Sequence, residues 1–173
     1  WNTSNVINME FLFKECRHFN QNCSTKEVTL DTTPPTTYIS FNTENVTNMR
    51  RVFGYCESFN NGDNYGESNK PLHWNTSKVE NMYYMFGIYN RLVNDGVYNQ
   101  PMNRIIGFEV GTGENKITYT TWDTQLNRDF GSMFQLQPVF TGIGLPSWLI
   151  RSDGIYGVYM RAMFSGAKAF NQP

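Results

Sequence analysis

The chain is built on an internal repeat. Its landmark Trp1 returns as Phe41, Trp74 and Trp122, and behind it stand Val6, Val46 and Val79 in register, then Met9, Met49, Met82 and Phe130. Phe13, Phe53, Phe86 and Phe134 continue the register, each preceded by Leu, Val or Met. Cys16, Cys56 and Tyr89 share the next column, followed by Phe19, Phe59, Leu92 and Phe140. An asparagine follows the aromatic residue at Asn20 and Asn60 and reappears at Asn99 and Asn171, the last behind Phe170. The consensus reads W-[ND]-T-x2-V-x2-M-x2-[ML]-F-x2-[CA]-x2-F-N-Q. A repeat of this length cannot bury its own apolar edge and is stable only when stacked on its neighbours.

The units run over about 1–40, 41–73, 74–121, 122–147 and 148–173, as a single array. The last two are diverged: Asn127 stands where a valine belongs, and about four residues separate Trp148 from Phe164 beyond the usual spacing. Extra residues fall mostly after the Phe-Asn-Gln element, which maps them to loops on one side of a stack. Trp1 opens the chain inside a unit and Pro173 closes it in mid-unit, so the expectation is a piece of a longer polypeptide.

Within a unit, Val6, Met9, Phe13, Cys16 and Phe19 follow steps of three and four, which predicts a short helical or 3-10 turn with one buried face. Asn8, Asn48 and Asn81 are placed to cap its start. Tyr38 to Phe41 and Ile117 to Trp122 read as strand. The predicted fold class is therefore an α/β repeat solenoid of leucine-rich-repeat type, with short parallel strands on one face, helical turns on the other, and hairpin insertions. The repeat core would comprise Trp1, Val6, Met9, Phe13, Cys16, Phe19, Phe41, Val46, Met49, Phe53, Cys56, Phe59, Trp74, Val79, Met82, Phe86, Trp122, Phe134, Phe140, Phe164 and Phe170. Asn20, Asn60, Asn99 and Asn171 would form an asparagine ladder, because an amide supplies both donor and acceptor at a tight corner.

With PLHW ahead of it at Trp74, the pattern WNTSNV..M..LF..C..FNQ resembles the repeat of mycoplasma-type surface lipoproteins, which belongs with the BspA-like leucine-rich repeats. The resemblance covers most of the chain apart from its insertions. It implies a curved solenoid in surface proteins of bacteria and protists, with related repeats in proteins of large DNA viruses, and attachment or protein binding as the role.

Composition narrows the partners. With 14 basic and 15 acidic residues, net charge -1, the chain lacks the basic face that nucleic-acid binding needs. No run approaches the roughly 18 to 20 apolar residues of a membrane span, so no membrane contact is expected of these residues. Sequons begin at Asn2, Asn22, Asn45 and Asn75 and permit a glycosylated exterior. Cys16 and Cys56 occupy one column and are either a disulfide across neighbouring units or two small buried residues; Cys23 has no evident partner.

His18 and His73, the two histidines, stand beside landmark aromatics and read as solvent-facing repeat positions. Residues 60–67 have a calcium-loop flavour, but Tyr65 and Leu72 fall where oxygen ligands are wanted, so a plain polar loop is expected. No catalytic, cofactor-binding or metal residue is expected, and no cofactor.

Two hairpins are predicted: Phe108 to Val110 with Lys116 to Tyr119 across a turn at 111–115, and Val28 to Leu30 with Tyr38 and Ile39 across Thr32 to Pro35. They either cover a sheet edge or carry recognition, since variable loops on a rigid frame are where binding concentrates. Tyr55, Tyr83, Tyr84, Tyr156 and Tyr159 lie between the buried columns and are expected to be partly exposed, a composition suited to protein or glycan contact. The leading expectation is a noncatalytic binding or adhesion module, extracellular or at the cell surface, with a protein or glycan partner. The alternative is a structural assembly protein in a virion surface or capsid, packed against neighbouring subunits.

Overall fold

The structure, a computed structural model, describes residues 1–89, 95–152, 154 and 157–173. It overturns the predicted fold class. Among the described residues there is no α-helix, and the strands are few, short and antiparallel: β1 (Lys26–Leu30) pairs with β2 (Thr36–Ser40), and β3 (Phe108–Val110) with β4 (Ile117–Tyr119). The rest is mostly turn and coil with two single-turn 3-10 segments, Gly113–Asn115 and Leu145–Ser147. The chain is not a parallel-stranded α/β solenoid.

The reason lies in the middle of each unit. Leu12 N–H bonds back to Met9 C=O, Lys14 to Phe11, Cys16 to Phe13 and Phe19 to Cys16, a run of overlapping four-residue turns. A helix would need every residue right-handed, and here the run is broken by left-handed residues at fixed places: Phe11, Arg51, Tyr84, Ser132 and Ala162 in one column, and Glu15, Tyr55, Leu136 and Gly166 four residues later. A positive φ at the third position is the mark of a type II turn. Turns repeating every four residues reproduce the apolar spacing of a helix without being one.

The capping asparagines change role accordingly. Asn8 Oδ1 accepts the N–H of Glu10, Asn48 that of Arg50 and Asn81 that of Tyr83, at 2.8 to 3.0 Å. These are asparagine turns closing on residue i+2, not helix caps.

Units meet side by side through alternate residues. Met9, Phe11, Phe13 and Glu15 donate their N–H groups to Asn48, Arg50, Val52 and Gly54, and each later unit repeats the scheme on the next. Because the intervening residues bend into turns, the parallel contacts remain isolated bridges, Asn8 to Asn48, Asn48 to Asn81, Asn81 to Asp129 and Asp129 to Tyr159, and no strand propagates.

Two aromatic columns run through the middle. Phe13, Phe53, Phe86, Phe134 and Phe164 stack at 5.4, 5.5, 5.7 and 5.8 Å between successive centroids. Phe19, Phe59, Tyr98, Phe140 and Phe170 form the second, at 5.9 to 6.4 Å. Tyr98 takes the place the sequence register assigns to Leu92, which lies outside the described residues; the third unit inserts its extra residues between Phe86 and Tyr98.

Val46, Met49, Phe53, Cys56, Phe59, Trp74, Val79, Met82, Phe86, Trp122, Phe134 and Phe140 are buried, as are Met9 and Phe13. Val6, Phe19, Phe41, Phe164 and Phe170 are half-buried against that core. Trp1 is 64% exposed although its ring stacks on Phe13 at 5.8 Å, and Cys16 is exposed.

Candidate functional site

The left-handed turn residues of the first column fall on one side of the stack. There Arg51, Tyr84, Ser132 and Ala162 line a cleft of about 740 Å³, joined by Tyr55, Tyr83, Tyr89, Asp129, Gly131, Gln135, Tyr159 and Arg161. That volume lies within the range of about 300 to 1,000 Å³ common for small-ligand sites.

The wall is aromatic and cationic. Tyr55 stacks on Tyr84 at 5.6 Å, Tyr83 lies against Tyr84 at 5.7 Å, and the Arg51 guanidinium sits over both Tyr83 and Tyr84, at 5.7 and 5.2 Å. Tyr89 and Tyr159 stand exposed at the rim. Gly87 permits the close fit behind them, since a Cβ there would come within 2.6 Å of the Ser132 carbonyl and 2.7 Å of the Tyr84 ring.

Arg51 Nε and the Tyr84 hydroxyl are both buried behind this wall, the hydroxyl beside Tyr55. Tyr84 is 2% exposed, and burial first, with Tyr55 adding, pushes its phenol well above the ordinary range. It therefore stays a neutral donor at any physiological pH. Asp129 contributes the cleft's carboxylate; its Oδ1 accepts the N–H of Gly131 at 2.8 Å.

Of the tyrosines singled out from sequence, Tyr55 and Tyr83 are half-buried, Tyr159 is 70% exposed and Tyr84 is buried, while Tyr156 lies outside the described residues. Sequence reasoning missed Arg51, Asp129 and Arg161. Arg51 carried a usable signal: it occupies the same column as Tyr84 one unit on.

Asparagine side chains link four of the units. Asn20 Oδ1 accepts the N–H of Asn60, Asn60 Oδ1 that of Asn99, and Asn99 Oδ1 that of Thr141, at 2.8 to 2.9 Å. Asn171 is exposed at the far end. The motif threonines tie the units a second time: Thr3, Thr43, Thr76 and Thr124 hydroxyls donate to Asn42, Asn75, Asp123 and Leu149 carbonyls at 2.8 to 2.9 Å. The calcium-like segment is absorbed by this lattice. Asp63 is buried and its Oδ2 accepts from Asn69 N–H at 2.7 Å and from Gln100 Nε2 at 3.3 Å.

The cysteines are free thiols. Cys56 donates to the Phe13 carbonyl at 2.9 Å, which places it between units without a disulfide. His18 is exposed; His73 is half-buried under the β3–β4 hairpin, 4.3 Å from Phe108, and burial lowers its pKa. The two hairpins touch, Thr112 donating to the Glu27 carboxylate at 3.0 and 3.2 Å, and Tyr119 Oη bonds to the His73 carbonyl at 2.6 Å. Among the described residues no group of three or more His, Cys, Asp or Glu converges on a metal position, and no helix is long and apolar enough to cross a membrane.

These features define a class: a stack of turn-built repeats with an aromatic core and a tyrosine- and arginine-lined cleft on one side. The chain belongs to the family described as Mycoplasma protein of unknown function, DUF285, whose model matches residues 1–100 and 101–173. Comparison with curated proteins and with solved structures gives no match.

Proposed function

We propose that this chain is a noncatalytic module displayed outside a cell, binding a protein or glycan through the tyrosine-lined cleft. The finer kinship, to BspA-like repeats of bacterial and protist surface proteins, rests on the WNTSNV..M..LF..C..FNQ pattern and is part of this proposal. The observation that carries the reading is the bank of Tyr55, Tyr83, Tyr84, Tyr89 and Tyr159 gathered from successive units around one cleft. Tyrosine offers contact area and a hydroxyl at low entropic cost, which favours recognition surfaces.

The test is binding of the chain to arrays of glycans and extracellular proteins, comparing wild type with a Tyr83→Ala, Tyr159→Ala double variant. A loss of about tenfold or more, equivalent to roughly 1.4 kcal/mol, is expected. Unchanged binding in the variant would remove the cleft from the proposal, and absence of antibody labelling on intact cells would remove surface display. Self-association blocked by the same variant would instead support the assembly role.

A further inference from the structure

We infer that the two ends of the stack are complementary, and that the first unit of a second copy of this chain stacks head to tail on the last unit. Three observations converge. First, the backbone edges match. Inside the stack alternate N–H groups of one unit donate to alternate carbonyls of the next: Met9, Phe11, Phe13 and Glu15 to Asn48, Arg50, Val52 and Gly54, and so on to Phe130, Ser132, Phe134 and Leu136, which donate to Tyr159, Arg161, Met163 and Ser165. In the last unit the donor places fall to Met160, Ala162, Phe164 and Gly166, whose N–H groups have no backbone partner among the described residues. In the first unit the acceptor places fall to Asn8, Glu10, Leu12 and Lys14, whose carbonyls are equally unused. One end is a row of donors and the other a row of acceptors at the same spacing, and an open edge of this kind templates pairing.

Second, the buried columns surface at these two ends. Val52, Met85 and Met133 are fully buried, whereas Leu12, at their place in the first unit, is 40% exposed. Met49, Met82 and Phe130 are fully buried, whereas Met160, at their place in the last unit, is 43% exposed. Phe164 and Phe170 end the two ring columns half-buried. A copy stacked in register sets its Phe13 and Phe19 beside them, continuing columns whose rings stand 5.4 to 6.4 Å apart. An extended peptide could offer carbonyls to the edge, but not both ring columns at that spacing.

Third, the charges agree. Glu10, Arg50 and Arg161 share one column, and Arg50 Nη1 donates to Glu10 Oε1 at 2.6 Å across the joint between the first two units. In the same register a copy's Glu10 falls beside Arg161, which is exposed. A contact between two different ends is heterologous and does not close on itself, so copies add in a row and do not stop at a two-fold pair.

The experiment is sedimentation velocity on the intact chain from about 1 μM to about 1 mM. The average mass is expected to rise from the 20.1 kDa of one copy past that of two. Leu12→Glu, which blocks the first unit, and Met160→Glu, which blocks the last, should each weaken association at least about tenfold. An equimolar mixture of the two variants should recover a pair that grows no further, since each keeps the end that the other lacks. Met160→Pro removes an N–H that bonds nothing within the chain and serves as the tail block where Met160→Glu does not fold. A single-copy mass throughout the range would overturn the inference, as would wild-type growth that stops at two copies or a mixture that recovers no pair. Association kept in both end variants but lost in Tyr83→Ala would move the contact to the cleft and overturn it too. Neither Leu12 nor Met160 lines the cleft, so ligand binding there is judged separately in the same variants.

Discussion

The rings of Phe53 and Phe59 lie 3.7 Å apart between centroids and 9° from parallel. Phe53 also meets Phe13, Phe86 and Trp74 at 5.4, 5.5 and 5.7 Å, so one ring bridges three units and is 1% exposed. Its truncation would open a cavity that the fixed neighbouring units cannot collapse into. Phe53→Ala is expected to cost about 3 to 5 kcal/mol, the range of large aromatic core truncations. Chemical denaturation read by tryptophan fluorescence checks this, and a loss below about 1 kcal/mol would remove the ring from the core.

Asn60 is fully buried, and both ends of its side-chain amide are engaged twice. Its Oδ1 accepts from Asn99 N–H and Gln100 Nε2 at 2.8 and 3.1 Å, and its Nδ2 donates to the Asn64 and Glu67 carbonyls at 2.7 and 3.1 Å. Asn60→Ala strands several buried groups, each worth about 1 to 3 kcal/mol when orphaned, so a loss of about 2 to 4 kcal/mol is expected. Asn20→Ala should cost less, because Asn20 is half-buried and water can replace part of its bonding. Equal losses in the two variants would show that burial is not what makes the lattice matter.

The contrast between what could and could not be read from sequence has a physical origin. Met49, Phe53 and Trp74 announce themselves because identical units stacked in register must place like residues over like, so core positions recur at fixed offsets. The backbone between them is silent. The left-handed positions carry Phe11, Glu15, Arg51 and Tyr55, not the glycine that would mark a turn, and so the three- and four-residue spacing looks helical. The cleft was half legible for the same reason: its tyrosines stand between core columns, but Arg51, Asp129 and Arg161 meet only because four units superimpose their turns.

The left-handed columns make their own prediction. Ala162 is exposed with φ 55°, whereas Gly166 holds the second column at φ 82°. A left-handed backbone costs an L-residue about 1 to 2 kcal/mol, and glycine's greater unfolded-state freedom offsets part of that relief. Ala162→Gly should therefore stabilise by about 0.5 to 1 kcal/mol. Gly166→Ala should destabilise, since its Cβ would meet Leu136 Cδ2 at 2.6 Å besides the strained φ. Thermal melts of both variants decide it: shifts of the same sign would contradict the turn assignment.

Alkaline pH should weaken the stack through two thiols. Burial pushes both Cys23 and Cys56 from an ordinary 9.0 up to about 12, with the neighbouring Cys16 adding at Cys56. Because the native pKa lies above the unfolded one, the native chain holds these protons when the unfolded chain has begun to lose them. Their contribution is fully present below pH 9 and is lost as pH rises towards 12, with a slope of at most about 1.4 kcal/mol per pH unit for each thiol. Denaturant midpoints should fall between pH 9 and pH 10.5, and a Cys23→Ala, Cys56→Ala double variant should show a shallower decline than the parent. Tyr84, whose phenol burial also raises, remains in that variant and accounts for part of the residual slope. Equal slopes in the two proteins would show that the thiols are hydrated in the native state.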